Sequence, residues 1–254
     1  MMTNSTVLST YDDTPCDELQ RRADSPRLIA VDRCSSTMDL THQLAQDGAP
    51  HGTVVVAEEQ RAGRGRTGKA WHSPRGNGVW ASVLLCAPAA ASGGVLSLRA
   101  GLELAQALEP RAAGRIQLKW PNDLLIHGRK LAGVLTEARW RGDVLEWVVV
   151  GVGVNVRQTG ADNSAALSHD ARLSDVLMDV VRSVMRAAAM HGELGAAELE
   201  RFTARDIAIG RDVDAPLVGT VLGVTARGGV RIRTDNGDAV AVAGSLVFRS
   251  PLAE

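Results

Sequence analysis

Between Gln60 and Trp71 the chain reads QRAGRGRTGKAW, with Gly63, Gly65 and Gly68 alternating with Arg64, Arg66 and Lys69. Glycine lets the backbone come close to a ligand, and the planar arginine fork binds phosphate or carboxylate in bidentate fashion. From Gly63 the spacing is that of an ATP-phosphate cradle, G-x-x-x-x-G-K. Ala70, however, stands where such a cradle needs a Ser or Thr hydroxyl for magnesium. Packing this many charges into a core is too costly, so the loop is expected to lie in solvent until an anion organises it. By itself the motif reads as an anion-binding loop or as a solvated basic patch.

Two further clusters carry chemistry. In KWPNDLLIHGRKLAGVL, Pro121 biases Trp120 toward extended backbone, and Asn122-Asp123 form a polar corner. Lys130 opens an apolar strand, where an ammonium needs a negative partner or a route to solvent. Gly133, three residues on, leaves room for a flat ligand. In GVGVNV, residues 151–156, the dinucleotide spacing G-x-G-x-x-G is missing, and Asn155 stands alone at the end of an apolar run, as a strand cap or a phosphate ligand.

Composition narrows the partners. The net charge of −1 over 254 residues gives no global attraction to nucleic acid or acidic membranes, so polyanion handling must be local. Cys16, Cys34 and Cys86 are isolated, without C-x-x-C spacing, which suits neither a disulfide framework nor a zinc site and favours a reducing, cytoplasmic location. The N-terminus lacks the pattern of a signal peptide. The most apolar stretch is broken by Pro88 and by Gly93-Gly94, and makes a poor membrane span.

The elements that must position these residues follow from pattern. Residues 1–26 are polar and aperiodic and are expected to form a flexible extension. RLIAV reads as a strand, and SSTMDLTHQLAQDG as a helix capped at Ser35, Ser36 or Thr37 and ended by Gly48. GTVVVAEEQ and GVWASVLLC are strands, and VLSLRAGLELAQALE and RLSDVLMDVVRSVMRAAAM are amphipathic helices. Strands joined by short turns imply a mixed or antiparallel α+β sheet, which argues against a phosphate-cradle fold. From about residue 211 the texture becomes short β-runs with Gly and Asn-Gly turns, expected to form a small β-barrel or hairpin domain over 209–254.

The motifs E-x-Q-x-A-G-R-G-R-x-G-x-x-W, K-W-P-N-D, G-R-K-L-A-G-V-L and G-x-G-x-N, preceded by S-S-T at a helix start, stand in an order that resembles the biotin protein ligases, also called biotin–[acetyl-CoA-carboxylase] ligases. The resemblance runs from about residue 28 to the end. It implies an α/β catalytic domain of the class II aminoacyl-tRNA synthetase type over 27–208, followed by an SH3-like barrel. It also implies an enzyme that joins biotin to AMP from ATP and Mg2+, then transfers biotin to a lysine on the carrier domain of acetyl-CoA carboxylase or a related carboxylase.

By the same resemblance Lys130, Arg66 and Asp123 are catalytic. Ser36, Thr37, Met38, Gln60, Gly63, Arg64, Gly65, Arg66, Lys130 and Gly133 meet biotin, and Arg66, Lys69, Trp71, Lys119, Asn122, Lys130 and Asn155 meet ATP. Magnesium arrives with the nucleotide and has no fixed protein site. The Gly/Arg loop becomes a lid that orders over an acyl-adenylate. Met38 and Lys69 depart from the residues many members carry, Asn and Arg, and Phe202 replaces a tryptophan in a packing role. The expected protein is a monomer or homodimer without a DNA-binding domain, a nucleic-acid partner or a membrane partner. The rival reading within the superfamily is a lipoate or octanoate ligase or transferase.

Overall fold

A computed structural model describes residues 5–86, 93–168 and 170–250. The β-branched run Val54-Val55-Val56 places alternate side chains on opposite faces of one sheet. Val54 and Val56 join one apolar cluster, while Val55 and Ala57 join another. That sheet is the frame of the molecule. In chain order its strands are β1 (Val7–Leu8), β4 (Leu28–Cys34), β5 (Val54–Gln60), β6 (Gly78–Cys86), β7 (Gln117–Lys119), β8 (Asp123–Ile126), β9 (Arg129–Arg141) and β10 (Val144–Asn155). They lie in the order β1-β4-β5-β6-β10-β9-β8-β7, with β4 and β5 parallel and the other pairs antiparallel. The expected mixed sheet is therefore present.

Helix α2 (Thr37–Gln46) covers one face through Met38 and Leu44. Helices α3 (Gly93–Leu108) and α4 (Leu173–Ala189) cover the other, where Leu98, Leu102, Val176, Val180 and Val184 share the main core. One edge of the sheet is the two-residue strand β1, too short to template much pairing. The other, β7, is covered by residues 205–207, where Leu118 N–H donates to Arg205 O at 2.8 Å and Ile207 N–H donates to Leu118 O at 3.0 Å.

Residues 5–26 are not the loose extension expected from their polarity. They form β1, the small hairpin of β2 (Thr10–Tyr11) and β3 (Thr14–Pro15), and α1 (Cys16–Arg22). Tyr11 and Leu19 are buried in the main core. Two apolar anchors and one well-placed carboxylate suffice here. Asp12 Oδ2 accepts from Ser174 N at 2.9 Å and from Ser174 Oγ at 3.0 Å, capping the N-terminus of α4 from 162 residues away.

Arg99 of α3 was not signalled by the sequence either. Its side chain is 2% exposed and pairs with Glu198 of α5 (Ala196–Thr203) at 2.7 Å, while donating to the carbonyls of Met190, Gly192 and Glu193. Phe202 on α5 is core, as its packing role required.

The C-terminal strands are β11 (Asp212–Ala215), β12 (Gly219–Val224), β13 (Val230–Thr234), β14 (Gly237–Ala241) and β15 (Val247–Phe248). They form an antiparallel sheet in the order β14-β13-β12-β11-β15. Among the described residues β14 and β15 are its two edges, so the sheet is open where a closed barrel was expected. It is tied to the large sheet by Trp120, whose Nε1–H donates to Gly228 O at 2.9 Å. The Trp120–Pro121 peptide is cis.

Two stability predictions follow from these contacts. Asp12→Ala is expected to lower thermal stability by about 1 kcal/mol through loss of the α4 cap. Asp206, between α5 and β11, has a buried Oδ2 with no hydrogen-bond partner among the described residues, and burial pushes its carboxyl up to about 6. The native state thus keeps a proton that the unfolded chain releases, and stability falls as pH rises between about 4 and 6. Asp206→Asn is expected to raise the melting temperature at pH 7.5, by about 1–2 kcal/mol in stability, and to leave it unchanged near pH 4. Equal shifts at both pH values would contradict this assignment.

Candidate active site

On the α2 side of the sheet, alternation along β10 points Val149, Gly151, Gly153 and Asn155 toward one face, and along β9 it points Gly133, Leu135 and Glu137 the same way. Three of these positions lack side chains, and a hollow opens above them. A cavity of about 360 Å3 occupies that hollow. Its walls are the start of α2, the Gly/Arg loop, the β7–β8 corner, residues 159–164 and residues 245–247 of the C-terminal sheet.

Lys130 reaches this face through an irregularity in pairing. Leu124 pairs with Ala132, but Leu125 pairs with Lys130, so Leu131 is an extra residue in β9. Strict alternation from Gly133 would have turned Leu131 toward the cavity and Lys130 into the core. The bulge exchanges them, re-aiming the ammonium. Leu131 is fully buried, and Lys130 Nζ lies 2.6 Å from Asp123 Oδ1 and 4.9 Å from the Trp71 ring centroid. The negative partner that a strand-opening lysine needs is therefore Asp123, with the indole face adding cation–π attraction.

One end of the cavity is a polar socket. Ser36 caps α2 by accepting from Met38 N at 3.3 Å. Gln60 Oε1, at the end of β5, accepts from Thr37 N at 2.8 Å and from Thr37 Oγ1 at 3.2 Å. Ser82 Oγ lies 2.7 Å from Thr37 Oγ1, and Gln60 Nε2 donates to Ser73 Oγ at 2.9 Å. Donors and acceptors are thus fixed in place before any ligand arrives. Met38, buried, packs over Gly151, where an added Cβ would come within 2.7 Å of its sulfur. Its thioether gives the socket an apolar wall.

The opposite end is cationic. Lys119, Lys69, Arg66 and Lys130 all line it. Burial pushes the Lys119 ammonium below the ordinary lysine range, with Asp123 opposing the shift, and its Nζ sits 4.8 Å from the Phe248 ring. Arg66 Nη2 donates to Gly244 O at 3.0 Å, while its Nε and the Nε1 of Trp71 are buried without partners among the described residues. Both residues line the cavity, and a buried donor without an acceptor calls for an explanation that a ligand could supply. Trp71 lies flat on the glycine face: a Cβ at Gly153 would stand 2.5 Å from the indole. Asn122 and Asn155 use their NH2 groups on Val134 O at 2.8 Å and Lys130 O at 3.2 Å, which leaves the amide oxygens to face a ligand.

The structure gathers nearly every residue singled out in the sequence. Gly63 is the exception. It does not line the cavity but lies beneath the loop, where an added Cβ would come 2.4 Å from Trp71 O. The loop is a closed turn, with Gly65 N donating to Lys69 O at 2.7 Å and Trp71 N to Gly63 O at 2.8 Å. Arg64 borders the cavity, but its guanidinium is engaged by Asp39 and Glu137, each at 3.0 Å. The sequence expectation that an anion must organise this loop is corrected accordingly: backbone bonds and protein carboxylates already do so. Thr159, residues 161–164, Leu135 and Ser245–Val247 were missed because each lines the cavity through tertiary placement, with no motif of its own, while Gly151 and Gly153 stand in the quoted G-x-G-x-N motif but were given no role in the site. No group of three His, Cys, Asp or Glu among the described residues could hold a metal.

Comparison with known proteins follows the same lines. Residues 30–155 match the model of the biotin/lipoate A/B protein ligase family. The bifunctional ligase/repressor BirA of Bacillus subtilis is 40% identical over 162 residues, 63% of this chain and 47% of that protein. The biotin–[acetyl-CoA-carboxylase] ligase of Paracoccus denitrificans is 42% identical over 115 residues, 44% of this chain and 47% of that one. The chain thus spans about half the length of the curated relatives it matches. A biotin protein ligase from Aquifex aeolicus, solved in complex with biotin and ATP, superposes with a TM-score of 0.74 at 26% identity, over 88% of this chain and 99% of that one. The sheet architecture agrees with the Aquifex structure, and residues 30–155 of the chain belong to the biotin/lipoate A/B protein ligase family.

Proposed function

We propose that this protein is an ATP-dependent biotin protein ligase. The observation that carries the reading is one cavity with a preformed polar socket at Thr37, Gln60 and Ser82 and a cationic end at Lys130, Lys119, Arg66 and Lys69. A ureido ring offers N–H donors and a carbonyl acceptor to the first end. A carboxylate and a triphosphate need the second. The Aquifex relative solved with biotin and ATP supports the same pairing of ligands. A lipoyl or octanoyl chain has no donor or acceptor to use the socket's remaining hydrogen-bonding capacity, which disfavours it.

In the first step a biotin carboxylate oxygen attacks the α-phosphorus of ATP. The P–O bond to the β-phosphate breaks, giving the mixed anhydride biotinyl-5'-AMP and pyrophosphate. Two anions must approach each other, and Lys130, held between Asp123 and Trp71, supplies the positive charge that stabilises their meeting. Arg66 and Lys69 add charge from the loop, Trp71 orders the loop and packs near the adenine, and Lys119, Asn122 and Asn155 hold the phosphates. The amide oxygens of Asn122 and Asn155 suit Mg2+ brought in with the nucleotide, where it would neutralise phosphate charge. Loop closure shields the anhydride from hydrolysis. In the second step the amine of an acceptor lysine attacks the anhydride carbonyl, AMP leaves, and Asp123 takes up the lysine proton. The acceptor is the biotin carrier domain of acetyl-CoA carboxylase or a related carboxylase.

In this reading residues 27–208 are the catalytic domain, of class II aminoacyl-tRNA synthetase type, and the C-terminal sheet is an SH3-like module. The three free cysteines suit a cytoplasmic location, and no described helix is long and apolar enough to cross a membrane.

Two measurements test this. ATP–pyrophosphate exchange should depend on biotin, not on lipoate or octanoate, and Lys130→Ala should reduce it by about a hundredfold or more. Exchange with lipoate instead would move the protein to the sister activity, and no exchange with any acid would end the ligase reading. Gly153→Ala, by pushing Trp71 off the glycine face, should raise the KM for ATP about tenfold with a smaller effect on biotin binding. An unchanged KM would remove Trp71 from the nucleotide site.

A further inference from the structure

Helix α2 carries a second set of polar residues beside its socket-forming first turn. Asp39 and His42, three apart, share one side of the helix. His42 meets Glu137 of β9 and Trp147 of β10, and Asp39 meets Arg64 of the loop. Glu137 Oε2 lies 3.0 Å from Arg64 Nη2 and 3.1 Å from His42 Nε2, and Asp39 Oδ1 lies 3.0 Å from the same Arg64 nitrogen. Behind His42, Trp147 Nε1–H donates to His42 Nδ1 at 3.0 Å. An indole nitrogen can only donate, so His42 Nδ1 accepts and the ring proton sits on Nε2, aimed at Glu137. The relay Trp147, His42, Glu137 therefore fixes a carboxylate in the orientation that Arg64 meets.

None of these four residues lines the cavity. Arg64 does, but its charge is directed away from the socket to two carboxylates, and it sits at the foot of a turn closed by only a few backbone bonds.

We infer that Glu137, assisted by Asp39 and oriented by His42, is a positioning residue that anchors Arg64 and so holds the loop over the cavity. The anchor acts through loop geometry and makes no contact with the reacting atoms. Glu137 sits two residues beyond Leu135, which lines the cavity, so the strand that forms the binding face also carries the anchor and keeps the two in register. The functional part of the inference, retention of the acyl-adenylate under the loop, rests on the ligase reading. The structural part does not.

Limited trypsin digestion separates the two, because Arg61, Arg64, Arg66 and Lys69 are cleavage sites within the loop. In Glu137→Gln and Asp39→Asn, which keep side-chain size, cleavage between 61 and 69 should quicken by about fivefold to tenfold, the scale expected for loss of charge-assisted bonds at a half-exposed site. Cleavage at Arg21 and Arg22 should stay at the wild-type rate. A loop rate equal to wild type, or acceleration spread over both regions, overturns the anchor. In turnover, Glu137→Gln should release more pyrophosphate per biotin transferred, at least threefold above wild type, because anhydride escapes from the loosened loop. An unchanged ratio beside faster loop cleavage overturns the retention role. Absence of biotin-dependent exchange in the wild type overturns the ligase reading, and leaves the proteolysis to judge the anchor.

Discussion

Close packing leaves few voids in a protein core, so a binding cavity on a sheet face has to be built by omission. Here the omission is at Gly133, Gly151 and Gly153, adjacent on β9 and β10 and all on the α2 side. An added Cβ at Gly151 or Gly153 would come within 2.7 Å of Met38 or Trp71, so these side chains rest directly on bare backbone. Socket wall, indole lid and the ammonium above that indole all take their positions from this stripe.

Charge is then delivered to a place where it would otherwise be costly. Lys130, Lys119 and Arg66 are partly withdrawn from water around one cavity, and burial pushes Lys119 and Arg66 below their ordinary ranges. Asp123 offsets this for both and pairs directly with Lys130. The site holds its cations ready but incompletely matched, with Arg66 Nε lacking a partner, which is the arrangement expected of groups meant for a polyanion.

Helix α2 serves both ends of this design. Its first turn fixes Thr37 against Gln60 and Ser82 and presents Asp39 to the loop's Arg64, while His42 in the next turn meets Glu137. A ligand in the socket and a closed loop therefore lean on the same rigid element, and β9 repeats the pattern with Gly133 and Glu137. The C-terminal sheet enters the same unit, accepting Arg66 at Gly244 and placing Phe248 under Lys119.

The sequence alone determined the elements with strong periodicity, α2, α3, α4 and the β-branched strands, because hydrophobic spacing is local information. The Gly/Arg loop, the Pro121-Asn122-Asp123 corner and Lys130 stood out by residue type, and the other site residues came from the order of motifs that resembles the biotin protein ligases. Other features were decided by tertiary structure. Residues 5–26 look polar, yet Tyr11, Leu19 and the Asp12 cap fold them onto α4, a contact between distant parts of the chain. Arg99 reads as a helix-surface charge until five backbone and carboxylate partners gather around it. The C-terminal turns predicted strands but not whether their edges would close. Lys130 is the clearest case. Its face on the sheet depends on one extra residue in the pairing of β8 with β9, and a bulge is a property of two strands in register, which neither strand's own sequence contains.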